Sequence, residues 1–287
     1  MKKSLEIYKV KDKNEKYYTK KDIISDIPFR ICIVGKSQLS GKTNLLVNLL
    51  LRDEFYKNDF IGKNIFLISG SVGNDAKLQT LIDQKQIEPQ NIFSEYDEEL
   101  IEALYEMLQD EFEEAIENNK RPKNTLVIFD DMSFGGIFKG KNFGVINKMF
   151  SNGRHINLSC IITAQKYSTI GSNQRENMTM GIFFSCSDKQ LELITEDINY
   201  LTDKKSFKSR YRKVCNEKHS FFVVNFTNPK ESMYLNSKFE PIEFHEDHVP
   251  SPLGNEVKST IVKLKPKIGE EDYSNFEDYE PLPKSKR

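Results

Sequence analysis

Apolar residues along the chain gather in short β-type runs separated by segments with helical spacing. The runs cover residues 29–34, 64–68, 125–129, 158–163, 180–185 and 220–226, with a hairpin partner at 232–235. Helical patterns fill 43–55, 95–118 and the stretch around 143–151. In 95–118 the apolar residues Leu100, Ile101, Leu104, Leu108, Phe112, Ala115 and Ile116 recur at i, i+3 and i+4, which predicts one amphipathic helix. Runs of continuous rather than alternating hydrophobicity, interleaved with helices, predict an α/β fold: a mostly parallel sheet covered on both faces. The pattern starts at Pro28 and fails beyond His245. We therefore expect an N-terminal arm (1–27), one domain (28–245) and a disordered charged tail (246–287) that holds five of the ten prolines.

Composition narrows this picture only slightly. The 287 residues suit one large domain with appendages, and 42 Lys+Arg against 43 Asp+Glu exclude a uniformly basic coat. No uncharged run approaches the ~18 residues that span a bilayer, and no apolar stretch follows the basic N-terminus as a secretory signal would require. Cys32, Cys160, Cys186 and Cys215 form no CxxC pair and are expected as reduced thiols. His155, His219, His245 and His248 lack ligand spacing.

Candidate chemistry begins where the first strand meets the first helix. Gly35-Lys36-Ser37-Gln38-Leu39-Ser40-Gly41-Lys42-Thr43 has the small residues a phosphate-cradling loop needs, and the following helix aims its positive end at the anion. Gly35, Ser37, Ser40, Gly41, Lys42, Thr43 and Asn44 are the expected ATP contacts. Lys42 would reach the β/γ-phosphates, and the Thr43 hydroxyl would hold Mg²⁺. Five residues separate the two glycines instead of four, and Lys36 stands at the usual first glycine. Either the loop has one extra residue, or Lys36 tolerates the site while Gly35 makes the turn. The bland alternative is a helix start capped by Ser40.

A second motif supports the first. Residues 125–129 end in Asp130-Asp131, and parallel strands bring their C-terminal ends to the ligand side of the sheet. Asp130 is the expected Mg²⁺ ligand and Asp131 the general base or water-orienting group. The strand at 158–163 leads to Gln165, an amide at a strand tip where it would sense the γ-phosphate.

The order of these motifs resembles the poxvirus-type genome-packaging ATPases of large DNA viruses and virophages, in the FtsK–HerA superfamily. The resemblance rests on Gly35 to Thr43, Asp130-Asp131, Gly153-Arg154-His155, Gln165 and Arg175-Glu176-Asn177, and spans about residues 28–240. It implies a RecA-like P-loop NTPase core that hydrolyses ATP as a homo-oligomeric ring, threading double-stranded DNA into a capsid. It also implies a capsid or portal-type viral partner and a place in the host-cell cytoplasm or virion. In such rings a neighbour's arginine stabilises the transferring phosphoryl, and Arg154 and Arg175 are the candidates.

Residues 204–213 hold six bases and no acid, with Phe207 and Tyr211 interleaved. Lys208, Arg210 and Arg212 are expected to meet DNA phosphates without sequence preference; a solvated helix face is the alternative. A nucleoside or small-molecule kinase, a nucleotide-dependent scaffold and a cellular or plasmid DNA pump of the same superfamily are the competing functions.

Overall fold

The computed structural model describes residues 14–37, 40–131, 144–200 and 203–243. The expected tail at 246–287 lies outside them. The strands are β1 (Arg30–Val34), β2 (Ile65–Ser69), β3 (Ile92–Phe93), β4 (Thr125–Asp130), β5 (Leu158–Ala164), β6 (Met180–Phe184), β7 (Phe221–Asn225) and β8 (Tyr234–Leu235). They form one sheet in the order β3-β2-β4-β5-β1-β6-β7-β8. The first six run parallel, while β7 and β8 join antiparallel at one edge.

The helices are α1 (Lys42–Leu51), α2 (Ala76–Lys85), α3 (Glu98–Glu117), α4 (Gly144–Asn152), α5 (Ser172–Asn177), α6 (Asp188–Ile198) and α7 (Lys204–Val214). Burial on both faces explains the continuous apolar runs. In β1, Ile31 and Ile33 pack with Leu46, Leu49 and Leu50 of α1 and Leu78 and Leu81 of α2. Cys32 and Val34 face the other layer, with Ile101 and Leu104 of α3, Ile146 and Phe150 of α4, Ile194 of α6 and Phe207 of α7. Each such side chain, fully buried, contributes about 1.5–3 kcal/mol. Burial pushes the thiols of Cys32, Cys160 and Cys215 up to about 12, and all four cysteines are free.

The periodicity of the sequence misses α2, α5, α6 and the two-residue β3. α2 and α6 bury narrow stripes (Leu78 and Leu81; Leu191, Ile194 and Ile198) among many polar residues. Helix α1 is shorter than the expected 43–55 because the chain turns extended at Arg52 and buries Tyr56 against Phe29, ring centroids 4.5 Å apart. Residues 14–27 are more than an arm. Ile24 and Ile27 are buried in the core beside Phe29, and Tyr56 Oη donates to Ser25 O (2.8 Å).

Candidate active site

Helix capping separates the phosphate-loop helix from three others. Asp75, Asp97 and Asp203 accept the first backbone N–H groups of α2, α3 and α7. At α1 the capping residue is Gly41, which offers no side-chain acceptor. The N–H groups at that end stay available to an anion.

The loop itself settles how five residues fit between two glycines. Gly35 donates its N–H to Ala164 O (3.0 Å), and a Cβ there would lie 2.7 Å from Ser40 Cβ and 2.9 Å from the Phe184 ring. Gly35 thus serves close approach, and Lys36 stands exposed beside it. Ser40 Oγ donates to Lys36 O (2.7 Å), tying the loop's two sides together. Gly41 has φ +93°, the left-handed region that favours glycine. Ser40 therefore braces the loop rather than capping the helix. Ser37 and Asn44 are exposed and Thr43 is half-buried, all beside the loop, while Gln38 lies outside the described residues.

Lys42 is only 8% exposed, and its Nζ donates to Gly35 O (2.8 Å) across the loop. Burial pulls its pKa down, against the opposing pull of Asp131 and Asp130. The lysine and the acidic strand end therefore share one electrostatic environment, although β5 lies between β1 and β4.

Strand β5 makes that junction. Asp130 is buried, and its carboxylate accepts hydrogen bonds from Thr163 Oγ1 (2.7 Å) and Ser69 Oγ (3.1 Å). The same Thr163 oxygen accepts the N–H of Asp131 (2.9 Å). Gln165 Nε2 donates to Asp131 Oδ2 (3.0 Å). Asp131 adopts φ +50°, a left-handed conformation that Asp tolerates better than most residues, so its side chain leaves the strand direction. Burial raises the Asp130 pKa; the Thr163 and Ser69 donors oppose it, Asp131 adds to it, and Lys42 opposes it. Each Asp130 oxygen accepts one hydroxyl and keeps lone-pair capacity. With the Thr43 hydroxyl it supplies the hard oxygen donors that Mg²⁺ takes, so the residues fit that ion.

Thr163, Ser69 and His219 escape sequence reasoning. Thr163 and Ser69 end apolar strands and look like ordinary strand residues. His219 approaches Ser40 O with Nδ1 at 3.2 Å from 179 residues away in sequence. Beside the loop a cavity of about 800 Å³ opens between Asn44 and Asn48 of α1, His219, Phe221 and Phe239.

The Poxvirus A32 protein family pattern matches residues 15–228. The chain belongs to the poxvirus A32 protein family. No curated protein sequence matches it. Among solved structures, the DNA-packaging ATPase of Sulfolobus turreted icosahedral virus is similar at TM-score 0.52 and 13% identity, covering 76% of this chain and 99% of that one. The genome packaging NTPase of Sulfolobus turreted icosahedral virus 2, in complex with ATP-gammaS, is similar at TM-score 0.46 and 18% identity, over 70% and 93% of the two chains. EssC ATPases 2 and 3 from Geobacillus thermodenitrificans are similar at TM-score 0.46 and 16% identity, over 61% and 36%. The shared fold is that of a P-loop ATPase.

In this A32-family chain the two candidate arginines sit away from the loop. Arg154 precedes β5 and Arg175 precedes β6, which places both toward the N-terminal strand ends, opposite Gly35 and Asp130. Arg154 is exposed; its Nε donates to the adjacent His155 ring (3.3 Å), and its carbonyl accepts Tyr18 Oη (3.3 Å). Arg175 is ion-paired to Asp197 of α6 and lies 5.2 Å from the Tyr167 ring centroid. It carries a structural contact within its own chain.

The basic helix α7 also departs from expectation, because it is not unopposed. It packs antiparallel to α6, and Lys204 meets Glu196 (3.2 Å), Lys208 meets Glu192, and Arg212 meets Asp188 (2.8 Å). Two of the three expected DNA contacts, Lys208 and Arg212, are therefore neutralised inside the chain. Phe207 and Tyr211 anchor the helix, with centroids 5.5 and 5.4 Å from Phe222. Lys205 and Lys213 make no ion pair among the described residues.

Proposed function

We propose that the chain is an ATP-hydrolysing motor that translocates double-stranded DNA during viral genome packaging, working as a homo-oligomeric ring with a capsid or portal-type partner. The observation that carries this is the meeting of Lys42, Asp130, Asp131 and Gln165 at one end of the sheet, bridged by Thr163, in a chain of the A32 family. The kinase alternative asks for an acceptor pocket and several arginines over the phosphates, whereas Arg154 and Arg175 lie at the far end of the strands.

ATP phosphates fit the uncapped start of α1, where Lys42 would exchange Gly35 O for a β/γ-phosphate oxygen. The nucleoside half fits the cavity beside Asn44 and Asn48. Mg²⁺ held by Thr43 and Asp130 would neutralise charge on the phosphate oxygens. Asp131 polarises the attacking water and takes its proton on the carboxylate. Gln165 holds that carboxylate in place and, on rotating its amide, reaches toward the γ-phosphate. Arg154 is the better candidate for a residue acting on a neighbour's site, since Arg175 is committed to Asp197. A ring built head to tail joins two different surfaces, so a residue distant from its own site is the kind a neighbour can use. DNA phosphates would meet Lys205 and Lys213 rather than the paired Lys208 and Arg212.

The test is ATP hydrolysis measured with and without duplex DNA. Stimulation by DNA that disappears in a Lys205→Glu/Lys213→Glu double variant is the expected result. Hydrolysis indifferent to DNA, with phosphate passed to an acceptor, would replace the motor by a kinase.

A further inference from the structure

We propose that His219 is a positioning residue for the phosphate loop, holding its exit into α1 ready for nucleotide. This rests on the reading that the loop binds phosphates. His219 belongs to the tight turn 217–220, closed by Ser220 N–H donating to Glu217 O (3.2 Å) and Ser220 Oγ donating to the same oxygen (2.6 Å). That turn leads from α7 into β7, the first of the two antiparallel strands at that end of the sheet. Its ring crosses from this edge to the loop and sets Nδ1 3.2 Å from Ser40 O. A carbonyl oxygen only accepts, so Nδ1 carries the proton, in the neutral or the charged ring.

Three further observations make the contact more than a chance approach. His219 adopts φ +67°, a left-handed conformation uncommon outside glycine that Asn, Asp and His enter more readily than other side chains. Below the ring sits Gly41, also left-handed at φ +93°, where a Cβ would lie 3.4 Å from His219 Nδ1. A side chain there would be strained by the backbone and would touch the imidazole, so glycine suits the turn beneath the histidine. The ring also borders the two cavities that flank the loop, one beside Asn44 and Phe221 and one beside Lys36 and Cys215.

Ser40 is the residue whose hydroxyl already ties the loop back to Lys36 O. With its carbonyl held by His219, Ser40 is fixed at both its side chain and its backbone, directly before the start of α1. The chain pays ordering entropy for the loop at folding instead of at nucleotide binding, which favours affinity. Loss of the imidazole then weakens nucleotide binding more than it slows turnover of bound ATP.

The experiment compares wild type, His219→Gly and His219→Asn. Gly relieves the left-handed backbone but has no donor, while Asn tolerates that backbone and carries an amide N–H. We expect ADP and ATP affinity, read by titration, to fall roughly tenfold in His219→Gly, the scale of one hydrogen bond plus lost loop order. The KM for ATP should rise by a similar factor with kcat within about twofold, and the nucleotide-free melting temperature should not fall. His219→Asn should recover most of the affinity. Nucleotide affinity of His219→Gly within twofold of wild type, or His219→Asn as weak as His219→Gly, would overturn the proposal. Wild-type protein that binds neither ADP nor ATP overturns the phosphate-loop reading itself and this inference with it.

Discussion

The phosphate-loop end of the sheet and the α6–α7 pair are the two most conspicuous charged regions of the chain, and they use charge in opposite ways. At the loop end a few charges are buried and drawn together. Lys42 is 8% exposed and Asp130 3%, and burial moves both away from their ordinary protonation ranges. Along α6 and α7 many charges are exposed and already matched, in the ladder Lys204–Glu196, Lys208–Glu192 and Arg212–Asp188. Charge density in the sequence is thus a poor guide to binding capacity. What counts is whether a charge remains uncompensated after folding, and how far it is removed from water.

Substitutions in both regions probe that contrast. Lys42→Ala and Asp131→Asn should each lower the rate of ATP hydrolysis by about 10²-fold or more while circular dichroism stays native. Asn suits the left-handed backbone at 131, so the loss would reflect the missing carboxylate. A hydrolysis rate within tenfold of wild type in either variant would remove that residue from the chemistry.

Thr163→Val removes the oxygen that serves Asp130 and Asp131 together. It should cost about 1–3 kcal/mol of stability, by denaturant titration, because it strands a buried carboxylate oxygen and a backbone N–H. The rate should fall by about an order of magnitude, and Thr163→Ser should restore both.

Asp130→Asn should abolish Mg²⁺-dependent hydrolysis yet raise the melting temperature of the nucleotide-free protein by about 2–4 °C, equivalent to about 1 kcal/mol for a domain of this size. The sign follows from the raised pKa. Such a carboxyl favours the fold when protonated, below the ordinary aspartate range, and that contribution is lost as pH rises through the elevated folded value. The gain on substitution should therefore be present at neutral pH and vanish in acid. A gain that persists unchanged below the ordinary aspartate range would contradict the burial argument.

The smallest effect belongs to the ladder. Lys208→Glu should shift the melting temperature by no more than about 2 °C, and Lys208→Glu/Glu192→Lys should return it, since exposed ion pairs are screened by water and salt. DNA stimulation should survive that swap and fail in Lys205→Glu/Lys213→Glu. If the swap abolishes stimulation, the ladder itself is the DNA-binding surface and the two regions are more alike than their geometry indicates.

Much of this was legible in the chain. Continuous apolar runs require a sheet covered on both faces, and the strands expected at 29–34, 64–68, 125–129, 158–163, 180–185 and 220–226 are β1, β2, β4, β5, β6 and β7. The loop at 35–43 and the Asp130-Asp131 pair could be singled out as a candidate site too, because their signals are local: small residues between a strand and a helix, carboxylates at the end of a buried strand. α2 and α6 were not legible, since two or three buried residues per helix leave little periodic signal. The choice between Gly35 and Lys36 also needed coordinates, because it turns on the 2.7 Å that would separate a Cβ at position 35 from Ser40 Cβ.

The sequence alone determined the α/β class and the parallel core and pointed to a loop-plus-carboxylate site, all from short-range patterns of polarity and residue size. Only the tertiary structure decided which charges are spent. It set Glu192 and Asp188 against Lys208 and Arg212, Asp197 against Arg175, Thr163 between Asp130 and Asp131, and His219 against Ser40. Those partners are distant in sequence, and packing of helices and strands brings them within hydrogen-bonding reach. Coulomb and hydrogen-bond energies depend on that separation and on the surrounding water, neither of which is written in the order of residues.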